Sequence, residues 1–136
     1  MYELHPLKNK HAQYKLEYHL VLITKYRKKC ISQEIFDFLR EETERLCSLK
    51  KIDVLEINYE ADHIHLLLSI PPQICLSTFI NNYKSVTSRH IRLKFESELK
   101  KYYWKSYFWS RSYLILSSGG APIEVIKKYI QNQKHD

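Results

Sequence analysis

This sequence predicts an α+β domain built on a single antiparallel sheet. Three observations predict it. Short β-branched or alternating apolar runs recur at strand length, and longer segments repeat apolar residues at helical spacing. Their order along the chain is strand, helix, strand, strand, helix, strand, helix. With 136 residues, 44% of them apolar, the chain suits one compact domain, 1–136, with enough apolar mass for a core.

Residues 18–24, "YHLVLIT", form a β-branched apolar run that reads as a central strand. The basic turn "KYRKK" follows. Ser32 then offers a helix N-cap, with Glu34 in the first turn, where a negative charge meets the positive end of the helix dipole. Phe36, Leu39, Thr43, Leu46 and Leu49 recur at helical spacing up to about residue 50.

Residues 52–59, "IDVLEINY", alternate as a strand should. Asp62 marks a tight turn, and residues 63–70 pair back as a hairpin that Pro71 and Pro72 stop. From 76 to about 99 the pattern is helical again. Phe79, Tyr83, Val86 and His90 share one face, while Lys84, Ser88 and Arg92 form another ridge.

An aromatic and basic segment, "KKYYWKSYFWSRS", leads into a last strand at 113–117. Then come Gly119, Gly120 and a final helix with Pro122 near its first position. The first six elements spell the ferredoxin-like split βαβ arrangement, with helices on one face of the sheet and the other face open.

The formal charge is +7, and 13% of the chain is aromatic, including eleven tyrosines. That balance favours a polyanionic partner. Basic side chains interleaved with aromatics suit single-stranded nucleic acid, whose exposed bases need flat surfaces to stack on. Cys30, Cys47 and Cys75 are odd in number and form no CxxC pair, which argues for free thiols over a disulfide framework or a cysteine zinc site. No stretch approaches the roughly 20 apolar residues of a membrane span. The opening "MYELHPLKNKHAQYK" lacks the apolar segment of a secretory signal, so the expectation is a cytoplasmic protein with no membrane partner.

"ADHIHLLLS", residues 61–69, holds two histidines one residue apart in a run that otherwise wants to be core. Alternation sends Ile64, Leu66, Leu68 and Ile70 toward the helices and leaves His63, His65, Leu67 and Ser69 on the open side. Two strand rises put the histidine Cα atoms about 6.6 Å apart, close enough to converge on one metal ion. Two imidazoles make an incomplete site, and the pair is equally compatible with satisfied polar groups on a half-exposed face.

Gly119 and Gly120 are the chain's only glycines. They precede "APIEVIKKYIQNQ" and offer a joint at 118–121 where a helix could swing against the sheet, or an ordinary tight loop. Within that helix Tyr129 and Gln133 lie at i and i+4 and share a face with Ile126. Taken alone, the tyrosine packs and the glutamine is solvated. Beside a two-histidine strand, a second reading is also open, in which Gln133 contributes an oxygen ligand and Tyr129 a nucleophilic hydroxyl.

Histidine, hydrophobic residue, histidine within "DHIHLLLS", followed late by "YIQNQ", resembles the single-tyrosine HUH transposases of the TnpA type. These mobilise small insertion sequences as single-stranded DNA. The likeness runs from "YHLVLITKYR" to the last helix and departs at Ala61, where many relatives carry proline. It implies that His63 and His65 bind a divalent metal, Mg²⁺ or Mn²⁺, with Gln133 as third ligand. It also implies that Tyr129 attacks a DNA phosphodiester, giving a 5′-phosphotyrosine and a free 3′-hydroxyl. A homodimer is implied too, in which the tyrosine helix can complete the partner's site in trans.

DNA with hairpin ends is the implied substrate. Candidate contacts are Lys25, Arg27, Lys28 and Lys29 in the first turn, and Lys84, Arg89 and Arg92 on the second helix. Lys105 and Arg111 stand among Tyr103, Trp104, Tyr107 and Trp109, where phosphate contact and base stacking could combine. Two alternatives stay open: a non-catalytic single-strand-binding module, and a related tyrosine transposase acting on palindromic repeats.

Overall fold

The computed structural model describes residues 7–8, 13–120 and 123–133. A two-stranded ladder, β1 (Leu7–Lys8) with β2 (Gln13–Tyr14), precedes the main sheet. Then follow β3 (Glu17–Ile23), α1 (Gln33–Leu49), β4 (Asp53–Glu60), β5 (His63–Ser69), α2 (Leu76–Lys94), α3 (Glu96–Leu99), β6 (Leu114–Ser117) and α4 (Ile123–Asn132).

The four-stranded sheet runs β4-β5-β3-β6, antiparallel throughout. That is the ferredoxin-like order. The β-branched run of β3 lies at the centre because it can pair on both sides, with β5 and with β6.

Alternation along β3 and β5 divides the core between two faces. Leu20, Leu22, Ile64, Leu66 and Leu68 pack under α1 and α2 with Ile35, Phe36, Leu39, Ile80 and Tyr83. Ser32 caps α1 by accepting from the Ile35 amide at 3.2 Å, and Thr43 Oγ1 meets the Tyr83 hydroxyl at 2.6 Å to tie the two helices. On the other face Val21 and Ile23 pack against Ile126 of α4, with Leu114, Leu116, Tyr129 and Ile130 alongside.

Three readings need correction in detail. Leu49 stays exposed at the end of α1. The second helix breaks at Phe95, which caps α2 and begins the short α3. Its buried face is Phe79, Ile80, Tyr83, Thr87 and Ile91; Val86 packs at its edge and His90 turns aside to bond Glu42. The three cysteines are free thiols. No helix among the described residues is long and apolar enough to cross a membrane.

Candidate active site

Cross-strand partners share a face, so the β3–β5 register fixes where the histidines look. His65 stands opposite Val21 and His63 opposite Ile23. Those two β3 residues lie beneath α4. The histidine column and the tyrosine helix therefore occupy the same side of the sheet, away from α1 and α2.

Each imidazole is already held. Asp62 Oδ1 is 2.8 Å from His63 Nδ1, which leaves His63 Nε2 as the nitrogen facing outward from that pair. His65 Nε2 is 2.8 Å from Nδ1 of His19, a third histidine contributed by β3, so one ring donates to the other. Burial and the neighbouring His19 push the His65 pKa down, favouring the neutral ring that a metal requires.

Asp62 is 7% exposed. Burial works against its ionisation, but the bonds and charges of His63 and Arg27 outweigh it and hold the carboxyl below its ordinary value. Arg27 bonds Asp62 Oδ2 through Nε and Nη2, both at 3.2 Å, and its Nη1 reaches the Gln131 carbonyl of α4 at 3.5 Å. One guanidinium thus links the turn before His63 to the end of the tyrosine helix.

Tyr129 and Gln133 meet at a residue that sequence reasoning passed over. Ser112, just ahead of β6, has its Oγ 2.9 Å from the Tyr129 hydroxyl and 2.9 Å from Gln133 Oε1. An amide oxygen only accepts, so the serine proton goes to Gln133 and the phenol donates to Ser112. Gln133 Oε1 keeps a second lone pair for another partner.

Among the described residues, no three His, Cys, Asp or Glu side chains converge as a metal site. Gln133 offers a donor of another type, an amide oxygen. Two imidazoles plus one amide oxygen, with Asp62 buttressing His63, fit a divalent cation. The mixed nitrogen and oxygen set suits Mn²⁺ more naturally than Mg²⁺.

The expected DNA contacts do not form one surface. Lys84, Arg89, Arg92 and Arg111 come together along a groove of about 460 Å³ that Ser88 and Ser110 also line. Lys28, Lys29 and Lys105 are exposed. Lys25 departs from expectation: it is 8% exposed, with its ammonium 5.2 Å from the Tyr26 and Tyr107 ring centres. Arg27 is committed to Asp62.

Of the expected joint at 118–121, residues 118–120 form a 3₁₀ turn, while residue 121 and Pro122 lie outside the described residues. A Cβ on Gly119 would meet nothing within 4 Å, so this conformation does not itself demand glycine there.

A family described as "Transposase IS200 like" matches residues 12–133. The ISDra2 transposase TnpA of Deinococcus radiodurans is 32% identical over 138 residues, covering 99% of this chain and 97% of that protein. The transposase for insertion sequence element IS200 of Salmonella typhimurium is 32% identical over 123 residues, covering 90% of this chain and 80% of its own. A crystal structure assigned as a transposase of D. radiodurans R1 superposes with a TM-score of 0.85 at 29% identity, over 96% of this chain and 99% of that one. The fold is also shared, at a TM-score of 0.58 and 10% identity, by a REP-associated tyrosine transposase solved bound to a REP hairpin; the match spans 96% of this chain and 67% of that one. The chain belongs to the IS200-like transposases, the enzymes of insertion sequences.

Proposed function

We propose that this transposase cleaves and rejoins single-stranded DNA at insertion-sequence ends, with Tyr129 as the nucleophile. One observation carries the reading: Ser112 holds the Tyr129 hydroxyl and the Gln133 amide oxygen together on the sheet face that presents His63 and His65. A tyrosine hydroxyl ordered from outside its own helix, on the face that carries the two imidazoles, suits attack on a phosphodiester.

In that reaction the Tyr129 oxygen forms a bond to phosphorus and the bond from phosphorus to the 3′-oxygen breaks. The phenolic proton is lost, and the departing oxygen ends as a free 3′-hydroxyl. Attack by another 3′-hydroxyl on the phosphotyrosine reverses the step and joins strands without ATP.

His63, His65 and Gln133 would hold the divalent cation, Mn²⁺ or Mg²⁺, which supplies charge stabilisation to the phosphoryl oxygens. Asp62 and His19 orient the two rings, and Ser112 orients the phenol. The groove of Lys84, Arg89, Arg92 and Arg111 supplies phosphate contacts, and the hairpin seen on the REP-associated relative suggests structured ends as the ligand. In this chain α4 lies over its own sheet, while the glycine pair supports a second arrangement in which α4 serves a partner subunit of a homodimer.

The test uses labelled single strands carrying the ends that flank the gene, with Mn²⁺ or Mg²⁺. Cleavage is expected on single strands, absent on duplex, and lost in His63→Ala. Tight binding without cleavage under every condition would replace this reading with a binding module.

A further inference from the structure

The turn Lys25–Arg27 carries two residues in the left-handed backbone region, Tyr26 at φ 58° and Arg27 at φ 53°. Non-glycine residues adopt it uncommonly, so something on each side chain has to be gained from it. For Arg27 the gain is Asp62. For Tyr26 it is an aromatic stack: its ring lies 5.6 Å from the Trp104 indole at an interplanar angle of 10°. Tyr107 stands edge-on to both, at 5.8 Å from each.

Trp104 is nevertheless 70% exposed. Tyr26 covers one face of the indole, and exposure on that scale leaves the opposite face to solvent. The other tryptophan behaves in the ordinary way: Trp109 is buried and donates from Nε1 to Thr87 Oγ1 at 2.9 Å.

The open indole borders a groove of about 380 Å³ whose charged lining is Arg92, Lys100, Lys105 and Glu96. Three cations against one carboxylate make it basic. A covalent and hydrogen-bonded path links its aromatic wall to the candidate active site: Tyr26 is followed directly by Arg27, which bonds Asp62 beside His63.

We infer that Trp104 is a stacking platform for one unpaired base of single-stranded DNA, with Tyr26 as its backing and Arg92 and Lys105 meeting the flanking phosphates. A flat indole backed by Tyr26 and largely open to solvent in a basic groove offers what an unstacked base seeks, whereas bases in a duplex already stack on each other. The inference rests on the reading that single-stranded DNA is the substrate, and it adds the place where a base outside the cleaved bond is gripped.

The test uses the full chain carrying Tyr129→Phe, so that binding is measured without cleavage. The probes are oligo(dT), an abasic strand with the same backbone, and the dA·dT duplex. Oligo(dT) should quench tryptophan fluorescence, and Trp104→Phe should abolish that quench while Trp109 still emits. Trp104→Ala should bind oligo(dT) about 5- to 150-fold more weakly, the range of one base–aromatic stack. It should bind the abasic strand as the parent does, and Trp104→Phe should keep most of the affinity.

Unchanged oligo(dT) affinity in Trp104→Ala would overturn the inference. So would an equal loss on the abasic strand, which would mean a structural defect, or a quench that persists in Trp104→Phe. The two readings fail separately. Cleavage by the Tyr129 chain with no Trp104 quench removes the platform alone, and a quench without cleavage removes the chemistry alone.

Discussion

Ser112 Oγ lies 2.9 Å from the hydroxyl of Tyr129, and the same oxygen donates its proton to Gln133 at 2.9 Å. Tyr129 on α4 and Gln133 just past its end are thus ordered by a third residue that stands just ahead of the edge strand β6. A phenol on a helix surface would otherwise sample several rotamers, and in the proposed reaction each wrong one removes it from line with the phosphorus.

Ser112→Ala should therefore slow single-turnover strand cleavage by about 10-fold, close to the worth of one hydrogen bond. Affinity for the uncleaved strand should hold, and Ser112→Thr should restore part of the rate. A loss of affinity with an unchanged rate would show that Ser112 serves binding instead.

Asp62 and Arg27 act on His63 from behind. With His63 Nδ1 engaged by Asp62, Asp62→Asn should weaken Mn²⁺ binding by about 10- to 100-fold, as loss of a carboxylate behind a ligating histidine does. Arg27→Ala should give a smaller loss in the same direction. Calorimetric titration of Mn²⁺ without DNA reads this directly, and equal affinities in all three proteins would contradict it.

A second acidic centre sits between α1 and α2, where Glu42 bonds His90 and Arg45. Burial alone would raise its pKa, but the bonds from Arg45 and His90 win and lower it from 4.5. A carboxyl whose folded pKa is depressed stabilises the fold above its unfolded pKa, and that gain is lost as pH falls through the folded value. Glu42→Gln should cost about 1.5–3 kcal/mol at neutral pH, and urea unfolding should find the gap closing below pH 4.5.

The thiols separate by environment. Hydrogen bonding from Ser77 and then Thr78 pulls exposed Cys75 down to about 7, while burial pushes Cys30 up to about 11 and Cys47 to about 12. Iodoacetamide at neutral pH should label Cys75 first, leaving the other two until the chain unfolds. Equal labelling of all three in the native protein would contradict these assignments.

The order of the main-sheet strands and the long helices, and the side of the sheet taken by His63 and His65, were legible in the sequence, because both follow from local period and β-branching; the short β1–β2 ladder and α3 were not. Tyr129 and Gln133 were legible as neighbours because helical spacing makes them so. What was not legible depends on chain segments that meet only after folding. His19 reaches His65 across 46 positions through the β3–β5 register, and Ser112 reaches Tyr129 across 17. Lys25 read as a DNA contact in a basic turn, but it is buried with its ammonium beside the Tyr26 and Tyr107 rings. Arg27 read as a phosphate contact for the same reason, since nothing local reveals the carboxylate 35 residues away.

The most direct test of the account is to trap the covalent product on a single-stranded end labelled on either side of the cleaved bond, digest it, and sequence the modified peptide by mass spectrometry. The account predicts a 5′-phosphate on Tyr129, a free 3′-hydroxyl on the other fragment, and no adduct in Tyr129→Phe. An adduct on another residue, one joined through a 3′-phosphate, or one that survives Tyr129→Phe would contradict it.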